Sequence, residues 1–122
     1  MQIEVSIGEA LDKVSILTIK LNKLTDTKQL RNVAKELGKI TKVLPDGILE
    51  DDLYQKLCSV NMRLWDIEDE IRICEKHGDF NNNFIRLARA VYHRNDERAA
   101  IKKEINIKYK SELVEEKSYQ SY

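Results

Sequence analysis

In LEDDLYQKLCSVNMRLWDIEDEIRIC, residues 49–74, the apolar side chains Leu49, Leu53, Leu57, Val60, Leu64, Ile67, Ile71 and Cys74 recur at steps of 4, 4, 3, 4, 3, 4 and 3. A helix turns once in about 3.6 residues, so these positions share one face, as in the seam of a coiled coil. A strand alternates in twos and would scatter them over both sides. The period predicts a helix over 48–77. His77-Gly78 ends it, because glycine takes the left-handed C-terminal conformation without steric cost, and Asp79 to Asn83 supply a polar turn rich in capping side chains.

Helices flank this one on both sides. Downstream, Phe84, Leu87, Val91, Arg94, Arg98, Ile101 and Ile105 keep the same rhythm and predict a helix over 82–108. Upstream, Leu30, Val33, Leu37, Ile40 and Leu44 predict a helix over 27–44, stopped by Pro45-Asp46-Gly47. At the start, Ser6 with Glu9 reads as a capping box, and Ile7, Leu11, Val14, Leu17, Leu21 and Leu24 predict a helix over 6–24. Ile3 and Val5 alternate with polar residues as a short extended arm, and the tail 111–122 lacks a period and is expected to drape over the helices or fray. The expected fold is all-α: an antiparallel four-helix bundle in a single domain, 1–122, with a long helix 3/helix 4 hairpin as its spine.

Composition agrees. The 122 residues include 42% apolar and 34% charged residues, four glycines and one proline, which excludes a turn-rich β fold, a disordered chain and a disulfide scaffold. No apolar run reaches the roughly 18 residues of a membrane span, and Met1 to Ser6 carries neither the basic start nor the apolar stretch of a signal peptide. A cytoplasmic location without membrane attachment is expected. Cys58 and Cys74 fall 16 residues apart on one helix, roughly 24 Å along its axis, too far for a disulfide.

The zero net charge is unevenly distributed. Residues 1–44 carry eight bases and five acids, 45–79 four and ten, 80–110 eight and three, and the tail one and three. An acidic segment followed by a basic one predicts pairing within the chain, which disfavours nucleic acid as a partner. With a hairpin turning near residue 80, Arg86, Arg89 and Arg94 stand level with Cys74, Ile71 and Asp66. The acids Asp66, Glu68, Asp69 and Glu70 are therefore expected to form a ladder of ion pairs with those arginines.

The runs from Ser6 to Leu17, from Leu64 to Arg72, from Phe84 to Asn106 and from Leu113 to Tyr119 together resemble a domain-of-unknown-function family of short helical proteins of bacteria and viruses. Some members are encoded beside glycosyltransferases or fused to them. The resemblance covers nearly the whole chain and implies a helical fold and a loose association with glycans, but no catalytic residues.

Arg94 and Arg98 occupy seam positions, where an unpaired charge costs several kcal/mol. One solution is pairing with Glu68, Asp69, Glu9 or Asp12, or snorkelling of the guanidinium past the seam to water. The functional reading is a polar pocket lined by Tyr92, Asn95, Arg94, Arg98, Lys102 and Trp65, in which guanidinium and ammonium hold an anion and the aromatic rings offer a stacking face. On that reading the chain is a non-enzymatic binding or assembly module for a small anionic metabolite such as a nucleotide or nucleotide-sugar, with no cofactor. Two alternatives come from other classes. One is a small metal-dependent enzyme, similar to helical nucleotide pyrophosphatases, with Glu9, Asp12, Asp66 and Asp69 as metal ligands. The other is a homo-oligomeric scaffold associating through an exposed stripe that includes Ile16 and Ile19. Cys74, His77, Cys58 and His93 are spread too far along the hairpin to hold one zinc ion. The four isolated glycines form no phosphate loop.

Overall fold

The computed structural model describes all of residues 1–122. It is entirely helical, with α1 at Ile7–Lys23, α2 at Thr27–Thr41, a single 3-10 turn at Ile48–Glu50, α3 at Asp52–His77 and α4 at Asn82–Lys108. Ser6 and the 79–83 turn supply caps as the sequence predicts, and Asp26 and Asp51 supply the other two. Ser6, Asp26, Asp51 and Asn81 each accept a hydrogen bond from a first-turn backbone amide, and Gly78, at φ 65°, closes α3.

Two boundaries differ from the apolar pattern. The second helix was expected to reach residue 44 but ends at Thr41, whose hydroxyl donates back to the carbonyls of Leu37 and Gly38. Leu44 precedes Pro45, whose ring disfavours helical backbone at the residue before it. The third helix was expected from residue 48 but starts at Asp52. Gly47, at φ 78°, turns the chain, and the Asp51 carboxylate takes the Leu53 amide at 2.8 Å. Ile48 is nevertheless 1% exposed, and Leu44 and Leu49 pack against the core. The apolar period tracked burial correctly where the backbone had already left the helix.

Leu11 and Val14 of α1, Tyr54, Leu57 and Val60 of α3, Ile101 and Ile105 of α4, and Ile48 form the main core. It lies where α1 crosses the first half of α3 and the second half of α4. Asp51 takes hydrogen bonds from Lys108 and from the Tyr109 hydroxyl, so the start of α3 and the end of α4 lie side by side. The backbone of α2 comes close to α1 only, although its Leu37 and Ile40 reach the core. Beyond α1 the α3/α4 hairpin has no third helix. Only Cys74 and Leu87 are buried there, and Ile73, Phe80 and Ile85 are exposed, with Phe80 edge-on to Phe84. No helix is long and apolar enough to cross a membrane.

The expected ladder between α3 acids and α4 bases is absent. Asp66, Glu68, Asp69, Glu70, Arg86 and Arg89 are all exposed, Arg86 donates to Asn83, and Arg94 pairs with Glu97 one turn on. Matching heights do not suffice when the charged side chains leave the seam on its outer sides. Ile19, expected on an exposed stripe, is 5% exposed, and Ile16 is half-buried.

Candidate functional site

Where α1 meets α4 the packing is close enough to exclude a methyl group. A Cβ on Gly8 would lie 2.6 Å from the Lys102 carbonyl and 3.0 Å from Asn106 Oδ1. That approach lets Asn106 Oδ1 accept from the Gly8 amide at 2.7 Å, while Ser111 Oγ accepts from the Ile7 amide at 3.1 Å and Ser6 Oγ from the Glu9 amide at 3.1 Å. Three amides at the start of α1 are thus capped, two of them by residues about a hundred positions later. Only half of the capping box forms. The Glu9 carboxylate turns to α4 instead of back to Ser6.

One turn deeper, Asp12 is 3% exposed and accepts from Arg98 through both oxygens, Nε at 2.9 Å and Nη2 closer still. Asn61 of α3 donates to Asp12 Oδ1 at 2.8 Å and to Ser15 Oγ at 2.5 Å. A planar fork on a carboxylate is the strongest arrangement open to a buried guanidinium. The Asp12 hydrogen bonds raise the Arg98 pKa against the effect of burial. The seam arginine therefore takes one of the four partners expected for it, and no buried side-chain polar atom lacks a partner.

Lys102 is next along α4, with its side chain 9% exposed. Its Nζ donates to Glu9 Oε2 at 2.8 Å and to Glu115 Oε2 at 3.1 Å, and stands 4.0 Å from Asp12. Burial works against the ammonium, but the Glu9 and Glu115 carboxylates outweigh it and move the pKa upward. Glu115, held by Lys117 first and Lys102 second, is drawn down to about 2. The tail thus drapes over α4, as the sequence allowed. Farther on, the Tyr122 hydroxyl donates to Asp96, and its ring packs edge-on against Tyr92 and His93, with centroids 5.2 and 5.1 Å away.

Between α4 and this tail runs a cleft of about 770 Å³. Four of the six predicted pocket residues, Tyr92, Asn95, Arg98 and Lys102, line it, and Tyr119 and Tyr122 face them from the tail. Ala99 lies among them and narrows nothing. The other two predicted residues lie elsewhere. Trp65 lines a separate cavity of about 530 Å³ bordered by α1, α3 and α4, which shares only Asn95 and Arg98 with the cleft. Arg94 lines neither cavity, because its guanidinium turns along the helix to Glu97 at 2.8 Å. The sequence left Glu115 out of the pocket and offered Tyr119 and Tyr122 as partner contacts, not as part of its wall. The only hint was the Glu-Glu-Lys run beside aromatic residues, a pattern common in solvated tails.

The carboxylates considered for a metal do not converge. Glu9 and Asp12 are engaged by Lys102 and Arg98, Asp66 is exposed on α3, and Asp69 borders the smaller cavity. No group of three or more His, Cys, Asp or Glu side chains gathers in a way that could hold a metal ion.

No curated protein and no solved structure matches the chain. A family model does match, over residues 1–122, and the sequence that resembled a helical family of unknown function at four separate stretches is one of its members end to end. The chain belongs to the family of unknown function DUF6165.

Proposed function

We propose that the protein is a non-enzymatic binding module whose cleft takes a small anionic ligand with a flat or stacking moiety, of the size and chemistry of a nucleotide or nucleotide-sugar. The observation that carries this reading is the combination of two fixed cations and an aromatic wall in one cleft of about 770 Å³. Arg98 and Lys102 are held in position by α1 carboxylates, so neither needs ordering when a ligand arrives. Tyr92 lines the cleft from α4, and Tyr119 and Tyr122 from the tail. The volume suits a drug-sized molecule. The same reading places the chain in the cytoplasm as an antiparallel helical bundle, without a cofactor.

Thermal unfolding in the presence of nucleoside mono- and diphosphates and nucleotide-sugars tests the proposal. A ligand at 100 times its Kd stabilises the fold by about 2.7 kcal/mol, or roughly 10 °C in a chain of this size. Tyr92→Ala removes an exposed ring and leaves the core untouched, so the variant is expected to unfold at the wild-type temperature and lose the ligand-dependent shift. No shift with any of these compounds in the wild type would sink the reading.

A further inference from the structure

The charges lining the cleft cancel: Arg98, Lys102 and Lys117 stand against Glu9, Asp96 and Glu115. An incoming anion therefore has to take a cation from one of the protein's own carboxylates. Asp12, which holds Arg98 from behind, is 3% exposed and fixed by Asn61 as well. Glu9 sits in the first turn of α1, where a carboxylate is favoured by the helix dipole. Glu115 differs from both. Its side chain is 40% exposed, and after Ser111 the chain makes no backbone-to-backbone hydrogen bond. Beyond Glu115 itself, the segment is held to α4 by the Lys103–Glu116 pair at 3.8 Å and by Tyr122 against Asp96, His93 and Tyr92.

We infer that Glu115 is a resident counter-ion in an anion seat at Lys102, and that the anionic group of a bound ligand displaces it and shifts the tail along α4 without detaching Tyr119 and Tyr122 from the cleft. This rests on the cleft reading above and adds where the ligand's charge sits and what it competes with. The seat takes one oxyanion, a carboxylate or a phosphate, because Glu9 remains on the other side of Lys102 and repels a second. The tail is accordingly both wall and internal competitor, and the affinity measured for any ligand is lowered by the fraction of molecules in which Glu115 holds the seat.

The experiment uses the full chain, wild type and Glu115→Gln, with inorganic phosphate as a probe of the seat alone and UMP as a probe of seat and aromatic wall. Calorimetry gives affinity, and the His93 ring resonances, shifted by the edge-on Tyr122 ring, report the tail. Glu115→Gln is expected to bind both probes about three- to fivefold more tightly, the range of an exposed ion pair. Saturating UMP is expected to move the wild-type His93 resonances to their positions in ligand-free Glu115→Gln, while sodium chloride at equal ionic strength does not. Equal UMP affinity in the two proteins, with His93 unmoved by UMP, overturns the inference and leaves the cleft reading standing. A change in the Tyr122 shift in Glu115→Gln without binding of either probe to either protein overturns the cleft reading, and displacement with it.

Discussion

Asp12 is the residue on which the most depends. It is the buried end of a pair whose other end, Arg98, reaches the cleft. Removing the guanidinium leaves a carboxylate inside the fold with one hydrogen bond from Asn61 and the Lys102 ammonium 4.0 Å away. Arg98→Ala is expected to cost about 3 kcal/mol in urea unfolding, the lower end for a broken buried pair because Arg98 is partly exposed. Asp12→Ala/Arg98→Ala together should cost less than the two single losses added, by about 1–3 kcal/mol, which a double-variant cycle measures. Asp51 gives a pH signature of its own. Lys108, then Tyr109 and the Leu53 amide, hold its pKa at about 2, below the roughly 3.9 of an unfolded aspartate. A depressed pKa means that the unfolded chain binds the proton first. The stability Asp51 contributes is complete above about pH 5 and is lost as pH falls toward 2, and Asp51→Asn should flatten that part of the acid-unfolding curve. At this scale the sequence was half legible. It required compensation for a seam arginine, by a partner or by reach to water, since the penalty depends on burial, but the choice among four acids depended on how α1 crosses α4.

At the scale of the element, the seams of α3 and α4 were readable because their periods run for seven and six steps, long enough to exclude a strand. Their ends were less so. The turn at 48–50 keeps Ile48 and Leu49 in the core while Gly47 and Asp51 set the backbone, so an apolar period alone cannot say where the helix begins. The end of α4 has an unusual residue in the same role that Gly78 fills for α3. Lys110 lies at φ 52°, in the left-handed region, and lets the Ser111 amide reach the Asn106 carbonyl at 2.8 Å. A side chain there costs about 1 kcal/mol relative to glycine. Lys110→Gly is expected to raise stability by up to about that amount, seen as a higher denaturant midpoint with an unchanged slope.

Over the whole molecule, burial is concentrated at one end of the hairpin. Tyr54, Leu57, Val60 and Asn61 of α3 and Ile101, Lys102, Ile105 and Asn106 of α4 are buried, whereas the stretch from Met62 to Ala100 contributes Cys74 and Leu87 alone. Few buried contacts mean cheap local opening. Amide exchange is expected to be faster over residues 66–77 and 86–92 than over 54–61 and 101–106 in the same helices, although all of these residues are helical. The composition foretold one helical chain, but not this gradient, because heptad steps do not reveal how far a third helix extends along a pair. The capping of α1 has a consequence in time as well as in space. Asn106 and Ser111, which satisfy the amides of Gly8 and Ile7, are made about a hundred residues after the helix they complete. A nascent chain on the ribosome therefore carries an unfinished α1 until about a hundred further residues have been added. The fold can close only once residue 111 has left the exit tunnel.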